Sequence, residues 1–214
     1  MQYFIENFEK IVVQKFRVSD CNEISVPKTS KIHKKFLLTK CSKKNFAQIS
    51  SGNRNHAKFS ISILDMGSGS GILILKCKEL GFNRLTAVDI DEETVNYLNK
   101  LKIKAIRSDL FSNIKGKFDL IIFNPPYLPE DKREPKDSRI HTTAGKKGYE
   151  LIINFLEQAK NYLKDSGKIL LLFSSLSKPK IIKNKARELG YKTKLLNKKK
   201  LFFEELFVYE IMMK

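Results

Sequence analysis

The sequence contains no tryptophan, only three cysteines and far fewer acidic than basic residues. The cysteines, Cys21, Cys41 and Cys77, form no C-x-x-C pair, which argues against a metal site and favours reduced thiols. No apolar run is long enough to cross a membrane, and residues 1–6 turn acidic too soon for a signal peptide. We therefore expect a cytoplasmic protein without a metal site and without membrane association.

The charge balance is strongly one-sided, because 41 Lys and Arg residues oppose 23 Asp and Glu residues and give a formal net charge of +18. Such a charge is typical of a protein that works close to a polyanion, such as RNA or the ribosome. A solvated lysine-rich surface predicts the same composition equally well. Few aromatic residues interrupt the lysine runs, so the sequence gives little support for specific binding of single-stranded nucleic acid.

The length of 214 residues, with 42% hydrophobic residues, suits one domain with a sizeable core. We divide the chain into a basic N-terminal extension over residues 1–57, packed on the core, and a main domain over residues 58–214. Within the extension, the basic segment 28–44 predicts an amphipathic helix that packs with a solvated lysine face or docks a substrate. The chain has no internal repeats and no low-complexity tract.

A glycine-rich turn follows the first strand of the main domain, Ile61 to Asp65, and precedes a helical run over residues 72–80. Its glycines are Gly67, Gly69 and Gly71. Glycine permits positive φ and close approach of a ligand, and the helix N-terminus attracts an anionic group. Ile72 stands where a dinucleotide fingerprint needs its third glycine. With Asp65 just ahead, G-x-G-x-G favours S-adenosylmethionine, whose carboxylate and ammonium need an amide-rich turn and an acid; an ordinary βα turn is the alternative.

Two further acids are predicted at strand ends. Asp89 follows a second strand at about the offset of a ribose-binding acid, and Asp109 follows a third strand over residues 103–110, where it could accept a hydrogen bond from adenine. Asp91 instead predicts the N-cap of a helix over residues 92–101. Each acid alone is commonly a cap or a loop residue. Together with Asp65 they predict a ligand site, because open α/β sheets bind ligands at the carboxyl ends of their strands.

The second motif is Asn124-Pro125-Pro126-Tyr127, directly after the apolar strand 120–123. Asn124 offers a side-chain carbonyl and Pro125 a backbone carbonyl on a rigid segment. Two acceptors that converge on one NH2 group would fix a planar amide or an exocyclic amine, with Tyr127 stacked on its plane. A β-turn after a strand is the alternative.

An amide nitrogen is a poor nucleophile, whereas a sulfonium is an excellent leaving group. Orientation of the amide and stabilisation of the charge that develops on nitrogen are therefore expected to carry the catalysis, without a strong base. His141, in the polar loop 128–147, is accordingly interpreted as a loop residue. We interpret that loop as a substrate-recognition loop, because it leaves the predicted site directly.

The rest of the chain continues to alternate between helix and strand. A helix is predicted over residues 149–164, a strand over 169–173, a helix from Pro179 to a C-terminal cap at Gly190, and strands over 191–196 and 207–211. A turn is predicted at residues 165–167. This alternation predicts an α/β fold with a doubly wound sheet.

These motifs resemble those of class I S-adenosylmethionine-dependent methyltransferases. From about residue 61 the chain resembles the HemK-type protein glutamine methyltransferases, in their short archaeal and eukaryotic branch. Residues 143–150 are similar to that family's Gly-rich run before a helix, and residues 200–210 to its C-terminal hairpin. The resemblance implies a Rossmann-like, seven-stranded, mostly parallel sheet with a C-terminal antiparallel hairpin strand. It also implies that the acceptor is the glutamine in the Gly-Gly-Gln loop of a class 1 translation release factor, and that a small zinc-binding activator subunit is a partner.

The resemblance also implies a role for each motif residue. The cofactor would contact Asp65, Gly67, Gly69, Gly71, Asp89, Asp109 and Asn124. The substrate amide would contact Asn124, Pro125, Pro126 and Tyr127, and of these Asn124, Pro125 and Tyr127 would be catalytic. One departure from the family is the segment 27–31, which has Pro27 but no carboxylate after it, so cofactor contacts from that segment are not expected.

Other functions remain open. An adenine-N6 methyltransferase acting on RNA or DNA is compatible with the same motif, because an exocyclic amine presents the same two N–H donors to Asn124 and Pro125. The charge of +18 favours it, whereas the C-terminal resemblance and the lack of a separate nucleic-acid module favour the protein glutamine. A lysine acceptor also stays open. A non-catalytic binding protein that keeps the fold is a third possibility, against which the intact Asn-Pro-Pro-Tyr motif argues.

Overall fold

The computed structural model describes residues 59–130 and 145–214, and this part of the chain forms one sheet with helices on both faces. The strands are β1 (Phe59–Met66), β2 (Phe82–Asp89), β3 (Lys104–Arg107), β4 (Phe118–Phe123), β5 (Leu163–Ser174), β6 (Tyr191–Lys200) and β7 (Glu205–Met213). The α-helices are α1 (Ile72–Glu79), α2 (Glu92–Lys100), α3 (Glu150–Ala159) and α4 (Pro179–Glu188). The predicted N-terminal extension, with its boundary at residue 57, lies outside the described residues and stays a prediction.

The strand order is β3-β2-β1-β4-β5-β7-β6. Strands β1 to β5 pair with one another in parallel, and β7 is antiparallel to both β5 and β6. The predicted doubly wound, mostly parallel sheet with an antiparallel hairpin strand is confirmed. The chain builds outward from β1 to β3 and then returns to place β4 on the other side of β1. Ligands of open α/β sheets bind at such a reversal, and both sequence motifs follow these two strands.

The central strands bury both of their faces. On one face, Leu64, Ile121 and Leu171 belong to a core that includes residues of α3 and α4. On the other face, Ile63 and Leu120 belong to a core that includes residues of α1 and α2. Burial on both faces explains why residues 120–123 are continuously apolar, since none of these four side chains faces water.

A polar anchor made of Ser62, Asp119 and Lys164 joins strands β1, β4 and β5. The carboxylate of Asp119 accepts hydrogen bonds from the Ser62 backbone N–H at 2.6 Å, from Ser62 Oγ at 2.7 Å and from Lys164 Nζ at 2.6 Å. Burial alone would raise the pKa of Asp119, but these hydrogen bonds hold it below its usual value. The anchor explains why a serine interrupts the apolar sequence of β1.

Several boundaries differ from the sequence predictions. Strand β3 ends at Arg107, because the Ser108 hydroxyl donates to the Leu110 carbonyl at 2.9 Å and turns the chain, so Asp109 lies in a turn. The helix predicted over 149–164 ends at Ala159. The turn predicted at 165–167 lies inside β5, at an irregularity in its pairing with β4. Strand β6 extends to Lys200 instead of residue 196.

Both predicted helix caps are confirmed. The Asp91 side chain accepts a hydrogen bond from the Thr94 backbone N–H at 2.8 Å at the start of α2. Gly190 follows α4 with a φ of +89°, and its N–H donates to the Arg187 carbonyl at 3.1 Å. Among the helices of residues 59–130 and 145–214, none combines the length and apolar character needed to cross a membrane.

Candidate functional site

A cleft of about 730 Å³ lies at the carboxyl ends of β1 to β4, a size typical of a small-molecule site. Its wall brings together most of the residues predicted from the sequence: Gly67, Gly69, Asp89, Asp109, Asn124, Pro125, Pro126 and Tyr127. The glycine turn and the Asn-Pro-Pro-Tyr motif therefore face one cavity. Their strands pair directly, with Met66 of β1 opposite Phe123 of β4.

The glycine turn has the backbone conformation that its glycines predict, with φ of +62° at Gly67 and +50° at Gly69. Two hydrogen bonds fasten it to β2: the Ser68 N–H donates to the Val88 carbonyl at 2.9 Å, and the Gly69 N–H donates to the Asp89 carboxylate at 2.8 Å. A Cβ atom at Gly69 would meet nothing within 4 Å. The turn is thus held in place while its cleft side stays open to a ligand.

Asp65 lies behind this turn and not on the wall of the cleft. Its side chain is 1% exposed, and its Oδ2 atom has no hydrogen-bond partner among the described residues. Burial raises the pKa of Asp65 to about 7, against the opposing effect of hydrogen bonds from Ser68 and Ile74. An orphaned oxygen on a buried acid beside the turn is the property expected where a cationic or hydrogen-bonding group of a ligand completes the site.

Gly71 does not line the cleft wall. The structure shows that packing between helices requires a glycine at this position. It is the N-cap of α1 with a φ of +74°, and a Cβ atom there would lie 2.3 Å from Leu98 Cδ2. The glycine therefore lets the start of α1 approach α2 closely. The packing role adds to the predicted contact between Gly71 and a cofactor, which stays a prediction.

Asp89 has a structural role that the sequence did not predict. Its Oδ2 accepts a hydrogen bond from the Gly69 N–H, and its Oδ1 accepts one from the Asp91 N–H at 3.1 Å. Each oxygen keeps a second lone pair, so the carboxylate can also accept hydrogen bonds from the hydroxyl groups of a ligand in the cleft. Asp109, in the turn after β3, exposes its side chain at the same wall.

The Asn-Pro-Pro-Tyr motif leaves β4 with Pro125 buried and with Asn124 and Tyr127 half-buried. The Ser177 hydroxyl donates to the Tyr127 carbonyl at 2.9 Å and so fastens the motif to the 3-10 turn after β5. Burial, with a further contribution from Glu204, raises the pKa of Tyr127. The phenol therefore stays neutral at physiological pH and can contact a neutral planar group.

The sequence did not predict that the β6–β7 hairpin reaches the cleft, where it contributes Lys199, Leu201 and Leu206 to the wall. The order of the strands in the sheet explains why the hairpin reaches the cleft. Strand β7 pairs with β5, and Leu206 lies opposite Ser174 at the carboxyl end of β5, so the hairpin tip comes to the ligand-binding edge of the sheet. The hairpin was identified from the sequence, but its place in the sheet depends on long-range pairing.

Other predicted features have mixed outcomes. His141, most of the loop 128–147 and the segment 27–31 lie outside the described residues. Residues 145–150 lead into α3 as predicted, and the Glu150 carboxylate accepts hydrogen bonds from the Lys147 and Tyr149 N–H groups at 3.0 and 3.1 Å. Within residues 59–130 and 145–214, no three His, Cys, Asp or Glu side chains cluster as metal ligands, and Cys77 is buried in α1.

Comparison with protein families gives one match that covers most of the chain. The profile of the family described as Methyltransferase small domain matches residues 53–200. The matched range includes the glycine turn, both acids on the cleft wall and the Asn-Pro-Pro-Tyr motif.

The names of two curated relatives describe them as glutamine methyltransferases. A protein of Methanocaldococcus jannaschii, provisionally named a protein N5-glutamine methyltransferase, is 38% identical over 154 residues, which are 68% of this chain and 78% of the relative. The release factor glutamine methyltransferase of Streptococcus pneumoniae is 35% identical over 129 residues, which are 52% of this chain and 45% of the relative. The chain thus spans less than half the length of the second relative.

Among solved structures, the chain is similar to one in the E. cuniculi Mtq2–Trm112 complex, which is described as responsible for methylation of the eRF1 translation termination factor. The TM-score is 0.57 at 23% identity, over 72% of this chain and 85% of that chain. At this level of identity the similarity shows that the two proteins share a fold.

Proposed function

The chain belongs to the Methyltransferase small domain family as a class I methyltransferase of the HemK type, and we propose that its acceptor is the glutamine in the Gly-Gly-Gln loop of a class 1 translation release factor. The observation that carries the proposal is the meeting of the glycine turn and the Asn-Pro-Pro-Tyr motif in one cleft. The names of the relatives support a glutamine acceptor.

The cofactor of the proposed reaction is S-adenosylmethionine, which supplies an electrophilic methyl group on a sulfonium when bound. Gly67 and Gly69 would hold its methionine end against the open side of the turn. Asp89 would accept hydrogen bonds from the ribose hydroxyl groups, and Asp109 one from the adenine. The orphaned Oδ2 of Asp65, directly behind the turn, fits a ligand that carries an ammonium group.

The chain's part in the chemistry is to position the acceptor and to stabilise charge. Asn124 Oδ1 and the Pro125 carbonyl would accept the two hydrogens of the glutamine NH2 group and fix its plane. As the nitrogen becomes positive, these two carbonyl dipoles stabilise the charge. A protonated amide is a strong acid, so its proton passes to water without a general base.

Tyr127 would close the face of the amide. Its phenol is half-buried and neutral, and Ser177 fixes its backbone carbonyl on the cleft wall that also includes Asn124. A flat aromatic surface excludes water from the amide and favours a planar acceptor over a flexible amine. The site therefore favours glutamine over lysine.

A small partner subunit is part of the proposal. The support is the Mtq2–Trm112 complex, in which a chain of the same fold is solved together with a second protein. We propose that a small, zinc-binding activator of this kind accompanies the enzyme.

A second candidate function is methylation of the adenine amino group in RNA or DNA, which the formal net charge of +18 favours.

The experiment supplies radiolabelled S-adenosylmethionine to two substrates in parallel, a purified class 1 release factor and total RNA. Label on the release factor, lost when its Gly-Gly-Gln glutamine is replaced and when the enzyme carries Asn124→Ala, is the expected result. Label on RNA alone would indicate that the methyl acceptor is the adenine amino group instead of glutamine. The same assay is repeated with a candidate activator, and absence of label from both substrates in that repeat would overturn the proposal.

A further inference from the structure

Two adjacent aromatic side chains at the tip of the β6–β7 hairpin are almost fully exposed. Phe202 is 95% exposed and Phe203 is 88% exposed, whereas the other exposed large hydrophobic residues of the described chain reach at most 54%, at Ile90. The centroids of the two rings lie 5.3 Å apart. Neighbouring apolar rings in full contact with water are typical of a surface that binds another molecule.

The tip that carries these rings is fastened to the end of β5. The Leu201 N–H donates to the Glu204 carbonyl at 2.7 Å and closes the turn. The Ser174 hydroxyl donates to the Glu204 carboxylate, and the Glu205 N–H donates to Ser175 Oγ at 3.0 Å. The rings are therefore presented by a turn with a defined position.

The tip is continuous with the cleft on the side of the acceptor. Leu201 and Leu206, which flank it, belong to the cleft wall. The segment 174–177 holds the tip through Ser174 and Ser175 and holds the Tyr127 carbonyl through Ser177. One short segment therefore fixes both the aromatic tip and the motif that faces the acceptor.

We infer that Phe202 and Phe203 form a docking anchor for the protein substrate, which they contact through apolar side chains that flank the acceptor glutamine. The inference rests on the proposed function, because it takes the occupant of the cleft to be a polypeptide loop. A loop that reaches Asn124 passes the hairpin tip, where the two rings can bury apolar area against it. Aromatic anchors of this kind carry a large share of the binding energy at protein interfaces.

The apolar side chains at this tip favour a polypeptide over a nucleic acid, and the charges around them are mixed. Glu204 and Glu205 follow the two rings directly, whereas Lys198, Lys199 and Lys200 precede the tip, so the hairpin end is not a purely basic surface for a phosphate backbone. Lys198 Nζ lies 3.9 Å from the Glu205 carboxylate, so this carboxylate offsets the positive charge of Lys198. The wall that the hairpin gives to the cleft includes two leucines, which suit apolar side chains of a protein.

The test compares the double variant Phe202→Ala/Phe203→Ala with the wild type and with Tyr97→Ala. Tyr97 is a matched control, since it is an aromatic residue of α2 that is 50% exposed and is absent from the cleft wall. Binding of a purified class 1 release factor is measured by titration calorimetry with no methyl donor present. Methyl transfer is measured separately as kcat and KM.

The expected result is a Kd for the release factor that rises by about tenfold or more in the double variant and by less than about twofold in Tyr97→Ala. KM should rise with Kd, and kcat should stay within about twofold. Phe202→Leu/Phe203→Leu should recover part of the affinity, because leucine restores apolar area. Circular dichroism and thermal unfolding verify that each variant is folded.

The inference is overturned if the double variant binds the release factor as the wild type does, or if the wild type does not bind it at all. Loss of RNA binding in the double variant, with unchanged affinity for the release factor, also overturns it in favour of a nucleic acid. Failure of the proposed function gives a separate result. In that case the wild type binds the release factor and the double variant binds it weakly, but neither transfers a methyl group to the glutamine.

Discussion

Asp65 combines complete burial with a carboxyl oxygen that has no hydrogen-bond partner in the described part of the chain. Its pKa of about 7 in the folded protein lies above the ordinary value of 3.8. Between about pH 4 and pH 7 the unfolded chain therefore loses the Asp65 proton while the folded protein keeps it. The contribution of Asp65 to the free energy of unfolding thus decreases as the pH rises through this range and is constant above it.

Replacement of Asp65 by Asn should remove this decrease. The free energy of unfolding of Asp65→Asn, relative to that of the wild type, should therefore increase by up to about 4 kcal/mol as the pH rises from about 4 to about 7. The measurement is urea unfolding of both proteins across this range without added cofactor. Two pH profiles that run parallel would show that Asp65 titrates normally in the folded state.

Asn124 should matter for the rate more than for cofactor affinity. Because its side-chain carbonyl would stabilise charge that develops only on the acceptor nitrogen, Asn124→Ala should lower kcat by about 100-fold to 1000-fold. The Kd for S-adenosylmethionine should change by less than about threefold, a modest effect for a group that acts mainly on the acceptor. Single-turnover kinetics and equilibrium binding separate the two effects, and a large loss of cofactor affinity with an unchanged rate would reverse the assignment.

At the level of secondary-structure elements, the contact between α1 and α2 depends on Gly71. Gly71→Ala should lower the free energy of unfolding by about 3 kcal/mol, because it combines a left-handed φ with a Cβ atom 2.3 Å from Leu98 Cδ2. Gly69→Ala is the matched control, with a left-handed φ but open space, and should cost about 1 kcal/mol. Equal losses measured by chemical denaturation would mean that contact with Leu98 is unimportant.

The elements that the sequence predicted well are those with a strong local pattern. The continuously apolar run at residues 120–123 predicted a buried strand, and Asp91 could be recognised as a cap from the residues beside it. Strand β6 was predicted too short, because its second half consists of Asn197 followed by three lysines. Pairing with β7 over this stretch holds it in the sheet, and such long-range pairing leaves no local pattern.

The same distinction applies to the candidate site. Residues that directly follow strands could be placed at the cleft, because parallel strands bring their carboxyl ends to one edge. The burial of Asp65 and the packing role of Gly71 depend on how α1 and α2 cover the turn. The contribution of Leu201 and Leu206 depends on the position of β7 within the sheet, so none of these could be deduced from the motifs.

At the scale of the whole molecule, the formal net charge of +18 affects stability. Mutual repulsion of the positive charges opposes the compact state, and salt weakens that repulsion. We expect the midpoint of thermal unfolding to rise by several degrees between about 10 mM and 300 mM sodium chloride. Differential scanning fluorimetry at constant pH tests this expectation, and a midpoint that falls over the range would show that favourable ion pairs outweigh the repulsion.

The position of β7 also affects how the protein is made. Strand β7 is synthesised after β6 but lies between β5 and β6 in the sheet, so β6 has no place to pair until β7 has left the ribosome. Until then, the backbone groups along one side of β5 are open to pairing with another chain. The order of synthesis therefore differs from the order of the strands in the sheet, and both the sheet and the hairpin side of the cleft are complete only when β7 is in place.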